Sequence, residues 1–264
     1  IDAASQGEQQ GGPDGGGGGG AYGSSGTDDI DHLQHDRPAT REETLAMLKL
    51  VGGSLASVAP EFWTDQDIVL EAVRNDGMSL QHAGGELRAV REIALAAVQN
   101  HWAALKFVDA AMADDRDIVM AAISKNSWSL RYASERLRGS DEIVLAAVRQ
   151  HVVSTSGVNE HFGAPVAASP IRFASEALRQ DRDFVLRAVE IDGFVIAHVD
   201  ASLQADREVV LRAVQQRGDV LCYAGAGTIL GLSLDPELLL EACRNLPSGG
   251  GFGWAGQQQR RLEE

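Results

Sequence analysis

The sequence predicts an all-α fold: an α-solenoid of short helix pairs with a 25-residue period, about six full repeats between divergent terminal half-repeats. Three observations carry that expectation. The phrase DRDIVMAA at 115–122 returns as DRDFVLRA at 181–188 and as DREVVLRA at 206–213. With Asp65, Val90, Asp115, Ser140, Asp181 and Asp206 aligned as position 1, position 8 is always alanine: Ala72, Ala97, Ala122, Ala147, Ala188 and Ala213. Apolar residues then fill fixed columns, with Ile68, Ile93, Ile118, Ile143, Phe184 and Val209 at position 4 and Leu80, Leu105, Leu130, Ile171, Ile196 and Leu221 at position 16. Self-similarity at one period of this length is the sequence mark of a repeat architecture.

Taken in chain order, residues 1–39 stand apart. GGPDGGGGGG at 11–20 has nothing to bury and the acidic DDIDHLQHD at 28–36 follows it, so this stretch reads as a flexible, solvated tail. A repeat domain is expected over 40–246, opening with a degenerate unit from Thr40. Terminal repeats diverge because each must turn one face to water.

In every unit but the one beginning at Val90, a first helix is expected to start at an acidic or hydroxyl N-cap at position 1, with Asp or Glu at position 3 close to the positive helix end. Positions 4, 5, 6, 8 and 9 are apolar, which requires cover from several sides. The alanine at position 8 marks a close approach of two backbones. The helix is expected to end near position 13, where Gly52, Gly77, Gly193 and Gly218 suit a left-handed cap. A second helix is expected over positions 15–24, with apolar residues at 16, 19 and 23. The fourth unit carries an insertion of 16 residues, at about 152–169, which separates its two helices. DPELLLEAC at 235–243 is a final first half, with Pro236 at the first helical position. A Gly-rich, polar tail over 247–264 closes the chain and carries two large aromatics, Phe252 and Trp254.

These units resemble a helical repeat family known only as a domain of unknown function, common in protists and algae, whose unit is about twice this period. The likeness rests on the phrase D-R-[DE]-[IVF]-V-[LM]-x-A-[VI] followed by L-x-x-A-[SD]-x-x-L, best seen in DRDIVMAAISKNSWSLRYASERLRG at 115–139, and spans roughly 65–245. It departs at Val90, where the N-cap is lost, and at the insertion. The resemblance implies helical repeats and no known chemistry.

Composition narrows the function classes. A net charge of -15 argues against a general nucleic-acid binder, since phosphate binding needs a basic surface. No run of 18 apolar residues exists, so no transmembrane segment is expected. Cys222 and Cys243 cannot build a disulfide framework or a zinc site. The chain begins at Ile1 rather than Met, so a processed chain or a fragment is expected, soluble, with an organelle left open as its compartment.

Catalytic and metal signatures are weak. Ser154, Ser156, His151 and His161 in the insertion lack the strand–turn–helix elbow of a serine nucleophile and read as a polar loop. HLQHD at 32–36 has helical histidine spacing but lies beside a glycine tract, with no scaffold to fix a metal. No catalytic residue, cofactor or metal is expected. Position 18 holds His82, Phe107, Tyr132, Phe173, His198 and Tyr223, a column that reads first as a packing ladder of rings. The histidines His82 and His198 are its weak cofactor candidates. Cys243 falls in a core column with Val73 and Val214, whereas Cys222 at position 17 is expected to be accessible.

Position 17 is the sharper column: Gln81, Lys106, Arg131, Arg172, Ala197 and Cys222. Seven residues on, Arg88, Arg138 and Arg179 are expected on the same helical face, making a basic stripe in an acidic chain. Its bland reading is local pairing of Arg131 with Glu135 and of Arg172 with Glu176 at helical spacing. The sequence therefore reads first as a non-enzymatic protein-interaction or scaffold module, an accessory subunit of a larger assembly. Its partner-binding candidates are Lys106, Arg131, Arg172, Arg138, Arg179, Phe252 and Trp254. A small-molecule or pigment-binding subunit using the position 18 column is the second reading, and an enzyme with a site at the insertion is the third.

Overall fold

The computed structural model describes residues 40–155, 169–223 and 235–245, all within the unit Pro38–Glu264. The tail at 1–39, the insertion residues 156–168 and the end from 246 lie outside it, and with them HLQHD, Ser156, His161, Phe252 and Trp254. Among the described residues every regular element is an α-helix or a 3₁₀ helix. The fold is all-α.

First helices fall where the register puts them: Gln66–Asn75, Arg91–Asn100, Arg116–Lys125, Asp141–Thr155, Arg182–Val189 and Arg207–Gln216, between Arg41–Leu50 and Pro236–Arg244. Asp65, Asp115, Asp206 and Asp235 each cap two backbone N–H groups, and Asp181 caps one. Val90 caps nothing, as its side chain dictates. Thr40 and Glu43 form a capping box at the start of the terminal unit.

Positions 4, 5, 8 and 9 make the core, as with Ile118, Val119, Ala122 and Ile123 in the third unit. Position 6 is shallower, since Leu70, Leu95 and Met120 are only partly buried against that core. Element contacts of any extent run within a unit or between consecutive units, the nearest-neighbour pattern of stacked repeats.

Three expectations are corrected. First, only Gly52 takes the left-handed conformation (φ 76) expected of the position 13 glycines. Gly77, Gly193 and Gly218 are needed for space instead. A Cβ on Gly77 would lie 2.2 Å from the Ala97 carbonyl, on Gly193 2.8 Å from that of Ala213, and on Gly218 1.8 Å from that of Ala242. The position 8 alanine of one unit thus presses its backbone onto position 13 of the unit before. The helix stops one residue earlier, at position 12. There Asp76 and Asn126 turn extended, give their N–H to Ala72 and Ala122, and cap the next turn with their side chains.

Second, the expected second helix is broken in two. A 3₁₀ segment comes first (Gly77–His82, Ser127–Tyr132 and Gly193–His198 are typical), and a short turn of helix follows, such as Glu135–Arg138 or Ala201–Gln204. The break lies at position 20, whose N–H is spent on the preceding unit. Ser134 donates to Ala113 (2.9 Å), Ser175 to Arg138 (2.9 Å) and Asp200 to Arg179 (3.1 Å). An N–H used across units cannot also continue a helix.

Third, residues 152–155 at the start of the insertion are helical rather than loop. The first helix of the fourth unit runs on to Thr155, and the Ser154 and Thr155 hydroxyls donate to carbonyls one turn back. No helix among the described residues is long and apolar enough to cross a membrane.

Candidate functional site

Six 3₁₀ segments, one per unit, tuck position 18 halfway into the core and present position 17 to solvent in every unit but the fifth, where Ala197 is half-buried. Lys106, Arg131 and Arg172 are exposed, while Phe107, Tyr132 and Phe173 are half-buried. Each cation lies over the ring that follows it: Lys106 at 5.5 Å from the Phe107 centroid, Arg131 at 4.8 Å from Tyr132 and Arg172 at 5.5 Å from Phe173. Such contacts at exposed sites contribute about 0.5–1 kcal/mol each. They fix where the charge sits without neutralising it.

The expected helical pairs Arg131–Glu135 and Arg172–Glu176 are not formed. The broken second helix removes the spacing that would align them, and Glu176 instead accepts from Gln180 (3.1 Å). Lys106 and Arg131 make no ion pair among the described residues.

The same break moves Arg88, Arg138 and Arg179 off the stripe. Arg88 folds back on its own 3₁₀ segment, where Nε donates to Ala83 (3.0 Å) and Nη2 to Gln81 (2.8 Å). Arg138 and Arg179 are half-buried, with Nε out of solvent. The position 18 rings are joined across units by edge contacts to position 14: Trp128 to Phe173 (5.6 Å) and Phe194 to Tyr223 (6.3 Å). His82 lies against Trp63 at 5.4 Å. Cys222 is exposed, as expected. Cys243 is half-buried rather than core, on a last described helix with no described unit beyond it.

Two devices, one between units and one within them, were not read from the sequence. At position 2, an arginine reaches the position 1 and 3 carboxylates of the next unit. Arg41 pairs with Asp65 and Asp67, Arg91 with Asp115 and Asp117, Arg182 with Asp206 and Glu208, and Arg207 with Asp235 and Glu237. In the fourth unit Asp141 replaces the arginine, and Arg187 of the next unit pairs with it from the other side. The recurring D-R-[DE] phrase was the available signal. At position 24, a side-chain donor satisfies the carbonyls that end the 3₁₀ segment, as Trp63 does for Leu55 and Val58 and Gln204 for Ile196 and Val199.

The electrostatics follow. The Arg182 guanidinium holds the Asp206 carboxyl below its ordinary value, and Arg41 does the same for Asp65. Asp192 is different. Burial pushes its carboxyl up, against the Phe194 N–H and the charges of His151, Arg217 and His198, which pull it down. Burial also lowers His151. Among the described residues no group of His, Cys, Asp and Glu could hold a metal ion.

A family model described as a domain of unknown function (DUF4116) matches residues 46–112, 115–155, 168–204 and 181–226. The chain belongs to this family. Its matches tile the stack from the terminal unit into the sixth and skip most of the insertion. No curated protein and no solved structure matches the chain.

Proposed function

We propose that the chain is a non-enzymatic interaction module, an accessory subunit of a larger assembly, which docks an acidic strip of a protein partner along Lys106, Arg131 and Arg172. One observation carries this reading: three consecutive units each hold an exposed cation over an aromatic ring. Elsewhere in the stack arginines are spent on carboxylates of neighbouring units. Here Lys106 and Arg131 make no ion pair among the described residues, and all three cations are exposed in a chain of net charge -15. Units packed about 10 Å apart would present one cation each to the partner.

The position 18 rings are engaged by these cations and by Trp128 and Phe194, so a planar pigment would have to displace existing contacts. A visible absorption spectrum of natively purified protein is the readout for that second reading.

The test of the docking lane is comparative affinity purification. Wild type and K106E/R131E/R172E are used as bait in extract, beside K49E/K125E/R149E, which makes the same change in net charge at exposed positions off the lane. The lane reading expects the first variant to lose partners that the second retains. Equal recovery by all three baits would contradict it.

A further inference from the structure

In a 3₁₀ segment residues i and i+3 eclipse, so Trp128, at position 14 of the third unit, stands on the face that carries Arg131. Arg131 in turn lies over the Tyr132 ring at 4.8 Å, and the Trp128 ring meets Phe173 of the fourth unit edge-on at 5.6 Å. All three rings are half-buried. Two of them carry polar handles. Where an indole is used by the fold, its N–H finds a carbonyl: Trp63 Nε1 donates to Leu55 (3.1 Å) and Val58 (3.3 Å). Trp128 Nε1 and Tyr132 Oη have no hydrogen-bond partner among the described residues. Neither belongs to the buried atoms left without one, which are Ser129 Oγ, Arg138 Nε, Ser169 Oγ and Arg179 Nε. Both donors therefore reach solvent, beside an Arg131 that makes no ion pair and one unit on from Lys106, which makes none either.

Free donors among rings select an extended ligand. An α-helix spends its carbonyls on its own N–H groups, whereas a polyproline II segment has no internal hydrogen bonds and keeps its carbonyls free. Three residues of such a segment rise about 9 Å, close to the roughly 10 Å between packed units, so every third side chain returns to the lane one unit further on. A β-strand repeats its face after about 7 Å and falls out of step. Proline-rich segments dock on aromatic-lined surfaces, and the unpaired Lys106 and Arg131 suit carboxylates. Resting on the lane proposed above, we infer that the partner docks through a proline-rich polyproline II segment with an acidic residue at every third position. Its prolines lie against the exposed parts of Trp128, Tyr132 and Phe173. Its backbone carbonyls accept from Trp128 Nε1 and Tyr132 Oη, and its carboxylates meet Lys106 and Arg131.

The test titrates the full chain into fluorescently labelled peptides and follows anisotropy. The probe is a peptide of four Glu-Pro-Pro triplets. Four Glu-Gly-Ser triplets keep the charges and their spacing on a flexible chain, and four Gln-Pro-Pro triplets keep the conformation without charge. Wild type is expected to bind the Glu-Pro-Pro peptide about tenfold or more tightly than either, because the flexible chain must be ordered on binding and the neutral one leaves both cations without a carboxylate. W128F/Y132F keeps a ring at each position and removes both donors. It should retain the helical circular dichroism of wild type, since Phe194 already holds position 14 in the fifth unit and Phe173 position 18 in the fourth. Its affinity for the Glu-Pro-Pro peptide is expected to fall about tenfold, with most of the preference over Glu-Gly-Ser lost. K106Q/R131Q, as a second variant, should no longer distinguish Glu-Pro-Pro from Gln-Pro-Pro. Equal binding of the Glu-Pro-Pro and Glu-Gly-Ser peptides by wild type, Gln-Pro-Pro bound as tightly as Glu-Pro-Pro, or an unchanged affinity in W128F/Y132F would each overturn the inference. Any of these results, with partner capture still sensitive to K106E/R131E/R172E, leaves the lane standing without this ligand. Capture insensitive to that reversal overturns the lane itself.

Discussion

Gly77 is a residue whose side chain, had it one, would occupy the space of another unit's backbone. A Cβ there would meet the Ala97 carbonyl at 2.2 Å and the His101 nitrogen at 2.9 Å, whereas around Gly85 nothing lies within 4 Å. Gly77→Ala should therefore destabilise by about 1–3 kcal/mol through overpacking. Gly85→Ala should be neutral or stabilise by up to about 1 kcal/mol through the unfolded chain. Urea denaturation of the two variants side by side checks the packing of position 13, and equal midpoints would refute it. Asp192 gives a second residue-scale outcome. Its buried carboxyl is raised above the ordinary 3.8, so the folded state favours the protonated form, and stability is lost as pH rises through and above that value. Asp192→Asn keeps an acceptor for the Phe194 N–H, as Asn126 does for Trp128 (2.9 Å). The variant should melt higher than wild type at pH 7 and lose that advantage in acid; a lower melting temperature at pH 7 would mean that His151, Arg217 and His198 stabilise the ionised carboxylate more than burial opposes it.

At the scale of elements, the staples between first helices carry a pH dependence of opposite sign. Arg182 lowers the Asp206 carboxyl below 3.8, so its contribution is fully present above the ordinary carboxylate value and fades as pH falls through the depressed one. These pairs are exposed, and Arg182→Gln should cost no more than about 1 kcal/mol at pH 7. The gap between variant and wild type should narrow on moving to pH 3, and a gap that widens would contradict the assignment. The staples also show what the sequence made legible. The period and the alanine column could be read because they recur in register along the chain, and the first helices and N-caps because their causes lie within ten residues of one another. The split of the second half could not, because its cause is the Ser134 N–H reaching Ala113 in the unit before. Nor could the role of the D-R-[DE] arginine, since Arg91 finds its carboxylates 24 and 26 residues away. In the candidate site, Lys106, Arg131 and Arg172 were legible as one column, each seated on the next residue's ring. Arg88, Arg138 and Arg179 were misplaced onto the same face, because that inference assumed a continuous helix.

Across the whole molecule, stacking by nearest neighbours keeps each unit's chemistry on a repeated lane, and the lanes differ in what their arginines do. Position 2 arginines couple units to each other, position 24 donors finish 3₁₀ segments, and position 17 cations in three consecutive units are exposed and rest on aromatic rings. That division is the basis for assigning recognition to the third lane. Exposed interface charges act mainly on association rate and its salt dependence. The most direct measurement is therefore the association rate of a partner recovered by affinity purification, taken from low to high salt with wild type, K106E/R131E/R172E and the charge-matched K49E/K125E/R149E. The account predicts that the lane reversal alone slows association at low salt, that the difference shrinks as salt rises, and that all three proteins melt within a few degrees of one another. Equal rates for the two variants across the salt range would show that net charge, not the lane, governs docking, and would contradict the account.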